Sequence, residues 1–376
     1  MWWSHNRKRL WMMMTTTFWI VSHGFLHPRM MPHYYPLMEL NQDIEKIHKV
    51  KVMGKNMVCY KNGNGTYIVH TDVCPHQGAS LSKGWINEYG NLQCPYHGFE
   101  FCSGMFCKIP NPELGPPHFR SKIRMTVYPT RQENGMLFLS PISSQTLSPP
   151  DPFFPPEEYD ESFRAVSGST IIHRPYMMVC ENLLDMLHIS YVHSFGNAVS
   201  PLPHSIRYFP TGNVSGRTEF HYKPNDFTIS NRIGKVSKVI VHNEYHLPTN
   251  TITRVIAGDV IKTVFTRSLP VHKNKTILYW KVYRNFWQDP YFPWFSRIGD
   301  WLLETLMKST IQEDLDILKN VYPEFREGRL KTKYDVTIQK FRESVRDAIL
   351  TSQDMYNNAS HTDNRYLEAF HDVESF

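Results

Sequence analysis

Cys74-Pro75-His76, then seventeen residues, then Cys94-Pro95-Tyr96-His97 decides the reading of this chain. Each half offers one thiol and one imidazole. Thiolates are soft ligands that suit the ferric iron of a cluster. Two neutral imidazoles on the second iron, in place of two thiolates, raise its potential. Gly78 and Gly98 follow the halves, and Pro75 and Pro95 sit within them. Such residues favour tight loops whose backbone N–H groups can point at sulfur. The two loops are expected as adjacent fingers of a small β-domain. Structural zinc is the competing reading. Zinc sites more often pair Cys with Cys and His with His, and the alternating order here argues against it.

The surrounding sequence supports a β-domain. Apolar alternation over 51–60 and 66–70 flanks Asn62-Gly63-Asn64-Gly65, a hairpin signal. The style continues to 136–140, and a Pro- and Ser-rich linker follows at 141–156. Beyond it, 169–180 reads as extended and 182–193 as helical. Strands are expected over 207–285, and helices over 291–319 and 336–351. Strands followed by helices imply an α+β domain with an antiparallel sheet. The expected divisions are an extension (1–33), a cluster domain (34–140), the linker (141–156), a second domain (157–352) and an acidic tail (353–376).

The segment 34–140 resembles the Rieske [2Fe–2S] domain of ring-hydroxylating oxygenases. The resemblance implies that Cys74 and Cys94 hold one iron and His76 and His97 the other. Respiratory-chain Rieske proteins carry an additional disulfide cysteine in each loop. Gln77-Gly78-Ala79 offers none in the first loop. Cys102 and Cys107 lie beyond the second loop and are read as packing residues.

A second constellation occupies Glu181-Asn182-Leu183-Leu184-Asp185-Met186-Leu187-His188-Ile189-Ser190-Tyr191-Val192-His193. On an ideal helix, His188 and His193 would lie roughly 140° apart, so a π-bulge or a helix end is needed to converge them. Non-haem Fe(II) oxygenases use two histidines and one carboxylate, leaving positions open. In 311–318 the apolar stripe is Ile311, Leu315 and Leu318. Helical periodicity places Asp314 on its edge, with Glu313 and Asp316 pointing away. A buried acid needs a cation or donors, so Asp314 is the expected third ligand. The pattern Glu-Asn-x-x-Asp-x-x-His-x-x-x-x-His resembles the catalytic-iron motif of Rieske oxygenases. The closest likeness is to the vanillate O-demethylase, 3-ketosteroid 9α-hydroxylase and pheophorbide a oxygenase group. The family implies a helix-grip-like second domain and a cyclic homotrimer, in which one subunit's cluster faces its neighbour's iron. It also implies catalytic roles for Asp185 and Asn182. Asp185 would accept hydrogen bonds from His188 and from the neighbour's His76 or His97. A helix-start aspartate is the plainer reading of Asp185.

The formal charge is +6, and Arg7, Lys8, Arg9 and Arg29 supply four of those positives within the first 38 residues, which hold no acid. The near-neutral remainder, with no matching motif, argues against nucleic acid as a partner. The apolar stretch 10–21 is too short to span a bilayer, which takes about twenty residues. It is read as a targeting segment, a shallow membrane anchor or a loose extension. The run Phe286, Trp287, Tyr291, Phe292, Trp294, Phe295 and Trp301 reads as core, with a substrate entrance or membrane contact as the alternative. His173, His221, His242, His246 and His272 are taken as ordinary. No flavin or nicotinamide fingerprint occurs, so a separate ferredoxin or flavin reductase is expected as electron donor. O2 and a hydrophobic ring substrate, sterol-like or chlorophyll-derived, complete the expectation. The expected location is intracellular, in cytoplasm or plastid. An electron-transfer protein with a non-catalytic second domain is the alternative. A zinc-stabilised structural protein is the third reading.

Overall fold

In the computed structural model, the described residues are 31, 33–40, 47–111, 113, 125–141, 149–194, 202–222, 238–289, 291–326 and 328–359. Most of the N-terminal extension, residues 142–148 of the linker and the tail beyond 359 lie outside them. The described chain falls into two compact units, one of which holds 153–350, while the described residues up to Pro152 belong to the other.

The first unit is all β. Strands β2 (His48–Val52), β3 (Lys55–Lys61), β4 (Tyr67–Thr71) and β9 (Val127–Tyr128) form one antiparallel sheet. A second comprises β5 (Trp85–Ile86), β6 (Leu92–Gln93), β7 (Glu100–Cys102) and β8 (Met105–Lys108). A third comprises β1 (Tyr35–Glu39), β10 (Thr130–Glu133) and β11 (Met136–Leu139). The β3–β4 hairpin turns at the Asn/Gly run: Asn62 Oδ1 accepts the Asn64 and Thr66 N–H groups at 3.1 and 2.9 Å. Val58, Tyr60, Leu81, Leu92, Phe101 and Phe106 pack into one core together with Cys74 and Cys94. Buried carboxylates brace both loop regions. Asp72 accepts Ser80 Oγ at 2.6 Å, Ser82 N at 2.6 Å and Ser82 Oγ at 2.8 Å. Burial would raise its pKa, but these donors hold it below the ordinary aspartate value. Glu100 accepts Gln93 Nε2 at 2.9 Å and Asn87 Nδ2 at 3.1 Å.

Cys102 and Cys107 are joined by a disulfide across the β7–β8 hairpin, not merely packed. Cys102 stands opposite Met105, and a register shift follows Glu100. That hairpin geometry, rather than the sequence interval, brings the two sulfurs together.

The second unit is one seven-stranded antiparallel sheet with helices. Its order is β12-β18-β17-β16-β15-β14-β13. The strands are β12 (Arg164–Ile172), β13 (Ser205–Gly212), β14 (Ser215–Tyr222), β15 (Val239–His246), β16 (Asn250–Ala257), β17 (Val260–His272) and β18 (Lys275–Arg284). Strands β13 to β18 follow in sequence order, and β12 joins at the far edge beside β18. The unit is thus α+β, as expected. Two long helices, α3 (Pro293–Leu318) and α4 (Val336–Ala359), pack on the same sheet face. Trp280 and Val282 meet Leu303, Met307 and Ile311 of α3. Tyr245 meets Phe341 of α4, and Thr337 Oγ1 donates to Thr218 Oγ1 at 2.9 Å. Residues 153–163 cover the opposite face. There Glu157 pairs with Arg254, and Glu158 takes Lys281 Nζ at 2.8 Å.

Two helices precede β13: α1 (Tyr176–Leu183) and the single-turn α2 (Ile189–Val192). Cys180 is therefore helical and not extended. Tyr176 to Glu181 are all buried. An element covered on every side has no apolar period, so a buried helix and a buried strand look alike in sequence. Glu181 anchors α1, accepting Arg326 Nη1 and Arg342 Nε, each at 2.8 Å.

From Tyr291 onward the aromatic run at the start of α3 is surface, not core, whereas Phe286 is half-buried. Tyr291 is 86 %, Trp301 64 % and Trp294 61 % exposed. The buried stripe of α3 is Ser296, Gly299, Leu303, Met307, Ile311, Asp314 and Leu318. The aromatic side chains fall on the other face, and composition could not reveal that register.

Candidate metal centres

The two loops of the first unit are built alike. Cys74 N donates to Ala79 O at 2.8 Å and Gly78 N to Cys74 O at 2.9 Å. Cys94 N donates to Phe99 O at 2.9 Å and Gly98 N to Cys94 O at 2.9 Å. Gly78 and Gly98 have φ of 73° and 69°, the left-handed region where a Cβ is disfavoured. The fold buries both thiols and leaves His76 and His97 exposed, with their Nδ1 atoms 3.2 Å apart. Burial raises the Cys74 thiol pKa, while the His76 and Gln77 N–H groups point at its sulfur. Two imidazole nitrogens converging on one point, over two buried soft donors, fit a cluster with one thiolate-bound and one imidazole-bound iron.

The second centre forms where the helix breaks. After Leu183 the chain leaves α1, and Asp185 Oδ1 accepts Leu187 N at 2.8 Å and His188 N at 3.4 Å. His188 then caps α2 at its start, and His193 ends it in extended backbone. The interruption removes the 140° problem, and the two Nε2 atoms lie 3.2 Å apart. Asp314 Oδ1, from α3, lies 3.2 Å from His188 Nε2 and 3.7 Å from His193 Nε2. Such spacings suit three donors around one ion at bonds of about 2.1 Å. Asp314 Oδ1 is buried and has no hydrogen-bond donor among the described residues, an arrangement that calls for a cation.

Burial would lower the His188 pKa, but the Asp314 carboxylate holds it above the ordinary imidazole value. His193 is lowered, chiefly by burial and also by the charge of His188. His188 Nδ1 is buried with no hydrogen-bond acceptor among the described residues, and Asp185 Oδ2 stands 4.0 Å away. Asn182 is half-buried on the last turn of α1. Its carbonyl accepts Asp185 N at 3.2 Å, and its side chain does not line the cavity at the triad.

Glu313 does not point away. Its Oε2 lies 3.0 Å from His193 Nδ1, and its Oε1 accepts Ser194 N at 3.3 Å. Sequence reasoning discarded it because it faces off the helix's own apolar stripe. Its partner comes from a distant segment that periodicity does not see. A carboxylate on the far ring nitrogen fixes the tautomer of a ligating histidine. Glu313→Gln is expected to weaken iron binding about 10- to 100-fold. Competition with a chelator at fixed pH measures this.

The triad opens on a cavity of about 750 Å³ lined by Met186, Ile189, Val239, Val241, Val255, Val264, Leu303 and Met307, among others. The lining is mostly aliphatic, with Phe286 and Trp287 the aromatic members.

A thiolate–imidazole loop domain joined to a two-histidine, one-carboxylate sheet domain defines a Rieske-type oxygenase. The chain belongs to that family: the Rieske [2Fe-2S] domain matches residues 34–121, and the vanillate O-demethylase oxygenase C-terminal domain matches 172–351. The first domain implies a [2Fe–2S] cluster and the second a mononuclear iron, and the donor sets described above fit both. The chain is 35 % identical over 173 residues to the chloroplastic protochlorophyllide-dependent translocon component 52 of Arabidopsis thaliana, covering 43 % of this chain and 30 % of that protein. It is 30 % identical over 172 residues to the chloroplastic pheophorbide a oxygenase of Oryza sativa subsp. japonica, covering 43 % and 32 %. The matches thus span about a third of these relatives' length. In fold it is similar to the crystal structure of dicamba monooxygenase bound to 3,6-dichlorosalicylic acid. The TM-score is 0.70 at 18 % identity, covering 87 % of this chain and 99 % of that one.

Proposed function

We infer that the chain is a terminal oxygenase. It would take electrons at the Rieske cluster from a separate ferredoxin or flavin reductase and use O2 at the mononuclear iron to oxidise a hydrophobic ring substrate. The observation that carries this is the convergence of His188, His193 and Asp314 on the wall of an apolar cavity. An electron carrier needs neither. When bound, the cluster supplies electron transfer and the mononuclear iron supplies oxygen activation.

The chain's own residues do the rest. Cys74, Cys94, His76 and His97 would hold the cluster, and His188, His193 and Asp314 the iron. Glu313 orients His193, and Asp185 is proposed to orient His188 and to accept a hydrogen bond from His76 or His97 of a neighbour in a head-to-tail trimer. The aliphatic walls exclude water and hold an apolar body beside the triad. A sterol-like or chlorophyll-derived molecule suits the cavity's size and lining. The chloroplastic relatives favour a plastid location over the cytoplasm. No described helix is long and apolar enough to cross a membrane. Membrane contact through residues 1–33 falls almost wholly outside the described residues.

Iron and sulfide analysis of anaerobically prepared protein tests the reading. About three irons and two sulfides per chain are expected, with substrate-dependent O2 consumption. About two irons per chain and no O2 uptake with any apolar ring compound would reduce the chain to an electron carrier.

A further inference from the structure

Helix α3 is apolar on two sides. One stripe, with Leu303, Met307 and Ile311, packs on the sheet. On the other side Trp294, Ile298 and Trp301 recur at helical spacing, and all three are exposed. Tyr291 and Phe292, just before the helix, are exposed as well. The rings adjoin: the centroids of Phe292 and Trp294 lie 6.5 Å apart. A contiguous exposed apolar patch marks an interaction surface.

The backbone beneath the patch is clamped. Arg284 is almost wholly buried, yet its guanidinium is directed at the segment that carries the aromatic residues. Its Nη1 donates to Phe286 O and, at 2.6 Å, to Trp287 O. Its Nη2 donates to Ser296 O and Asp300 Oδ1, each at 2.8 Å. Asp289 Oδ1 accepts Tyr291 N at 2.8 Å and Phe292 N at 3.3 Å, so these N–H groups have protein partners in place of water. Trp287 is exposed at a φ of 50°, a strained setting for a bulky residue. Such strain is kept where function uses it.

The patch also meets the cavity. Trp287 and Leu302 are both exposed and both line it. Leu302 follows Ile298 by one turn and precedes Leu306, another lining residue, by one more, so the outer face of α3 runs into the cavity wall. Charge along the border is settled in favour of cations. Asp300 is engaged by Arg164 and Arg284, and Glu304 by Lys308 at 2.6 Å. Arg297 is exposed on the turn between Trp294 and Trp301.

We propose that this face docks on a lipid bilayer. Tyr291, Trp294, Ile298 and Trp301 enter the interfacial layer, and the cavity mouth at Trp287 and Leu302 is held against it. Trp and Tyr join an apolar body to a polar tip and favour that layer, while Arg297 and Lys308 meet headgroup phosphates. An aliphatic cavity takes molecules that concentrate in a bilayer, and one dissolved there reaches the triad without crossing water. That the arriving molecule is then oxidised rests on the oxygenase reading. The lipid contact does not.

The test uses the metal-loaded full chain with vesicles of phosphatidylcholine and phosphatidylglycerol, part of the phosphatidylcholine carrying a diazirine in its acyl chain. After irradiation, peptide mapping is expected to find lipid attached within 287–302. In the triple variant Trp294→Ser, Ile298→Ser, Trp301→Ser that labelling should vanish. Vesicle affinity, read by flotation, should fall about tenfold or more. Iron content and thermal midpoint should stay unchanged, because the three side chains are exposed. Label confined to other segments of the unaltered protein overturns the assignment, and so does undiminished labelling of the variant. An oligomer that the variant splits into monomers, with no lipid on 287–302, would make the face a subunit interface instead. Failure of the oxygenase reading would appear separately, as two irons per chain with the label on 287–302 intact.

Discussion

His188→Ala is expected to release the mononuclear iron and leave the cluster intact, so that iron per chain falls from about three to about two. His188 Nε2 stands 3.2 Å from both His193 Nε2 and Asp314 Oδ1, so its loss opens one corner of a three-donor set. Two remaining protein donors hold Fe(II) weakly, and turnover should fall by at least about a thousandfold. The cluster's visible spectrum should not change, because its ligands belong to the other unit. Metal analysis of reconstituted protein decides the matter, and an unchanged iron count would mean that the ligand assignment is wrong. The direction of the pH dependence follows as well. In the metal-free protein Asp314 raises the His188 pKa, so their ion pair stabilises that form below the ordinary imidazole range. This contribution is lost as pH rises through the raised value. Iron must displace that proton, so iron retention should weaken as pH falls through it.

Asp185→Asn should retain both metals and lose turnover by about a hundredfold or more. The substitution is nearly isosteric. An asparagine oxygen can still accept Leu187 N, which Asp185 Oδ1 does at 2.8 Å, so the start of α2 should survive. The loss is the negative charge 4.0 Å from His188 Nδ1. Asp185→Ala would additionally remove the local hydrogen bond, at a cost of about 1 kcal/mol. The two variants therefore separate a helix-start role from a role toward His188. If Asp185→Asn turned over normally while Asp185→Ala merely lowered the urea midpoint, Asp185 would be a helix-start residue and nothing more.

The candidate residues of both centres could be picked out where their signal was local or periodic. The cluster loops lie within one short stretch, and their cysteines, histidines and glycines each have a stated chemical reason. Asp314 could be singled out because helical periodicity sets it on the edge of the stripe Ile311, Leu315 and Leu318. The broken helix between Leu183 and Ile189 was foreseeable, since the two imidazoles could not otherwise meet. What escaped was set by partners far off in sequence. Glu313 faces a histidine on another element, and its own helix gives no hint of it. The Cys102–Cys107 bond depends on a hairpin register shift. The aromatic residues of α3 are apolar by composition but point outward by register.

The donors of the second centre come from segments about 120 residues apart, since Glu313 and Asp314 follow His193 by that interval. At ordinary ribosomal speeds of about 5–20 residues per second, the imidazole pair emerges roughly 6–24 seconds before its carboxylate. During that interval the nascent chain offers a bare nitrogen pair, for which copper and zinc outrank ferrous iron. Correct metallation is then a question of timing during synthesis: iron must arrive after α3, or a competitor must be expelled once Asp314 closes the set.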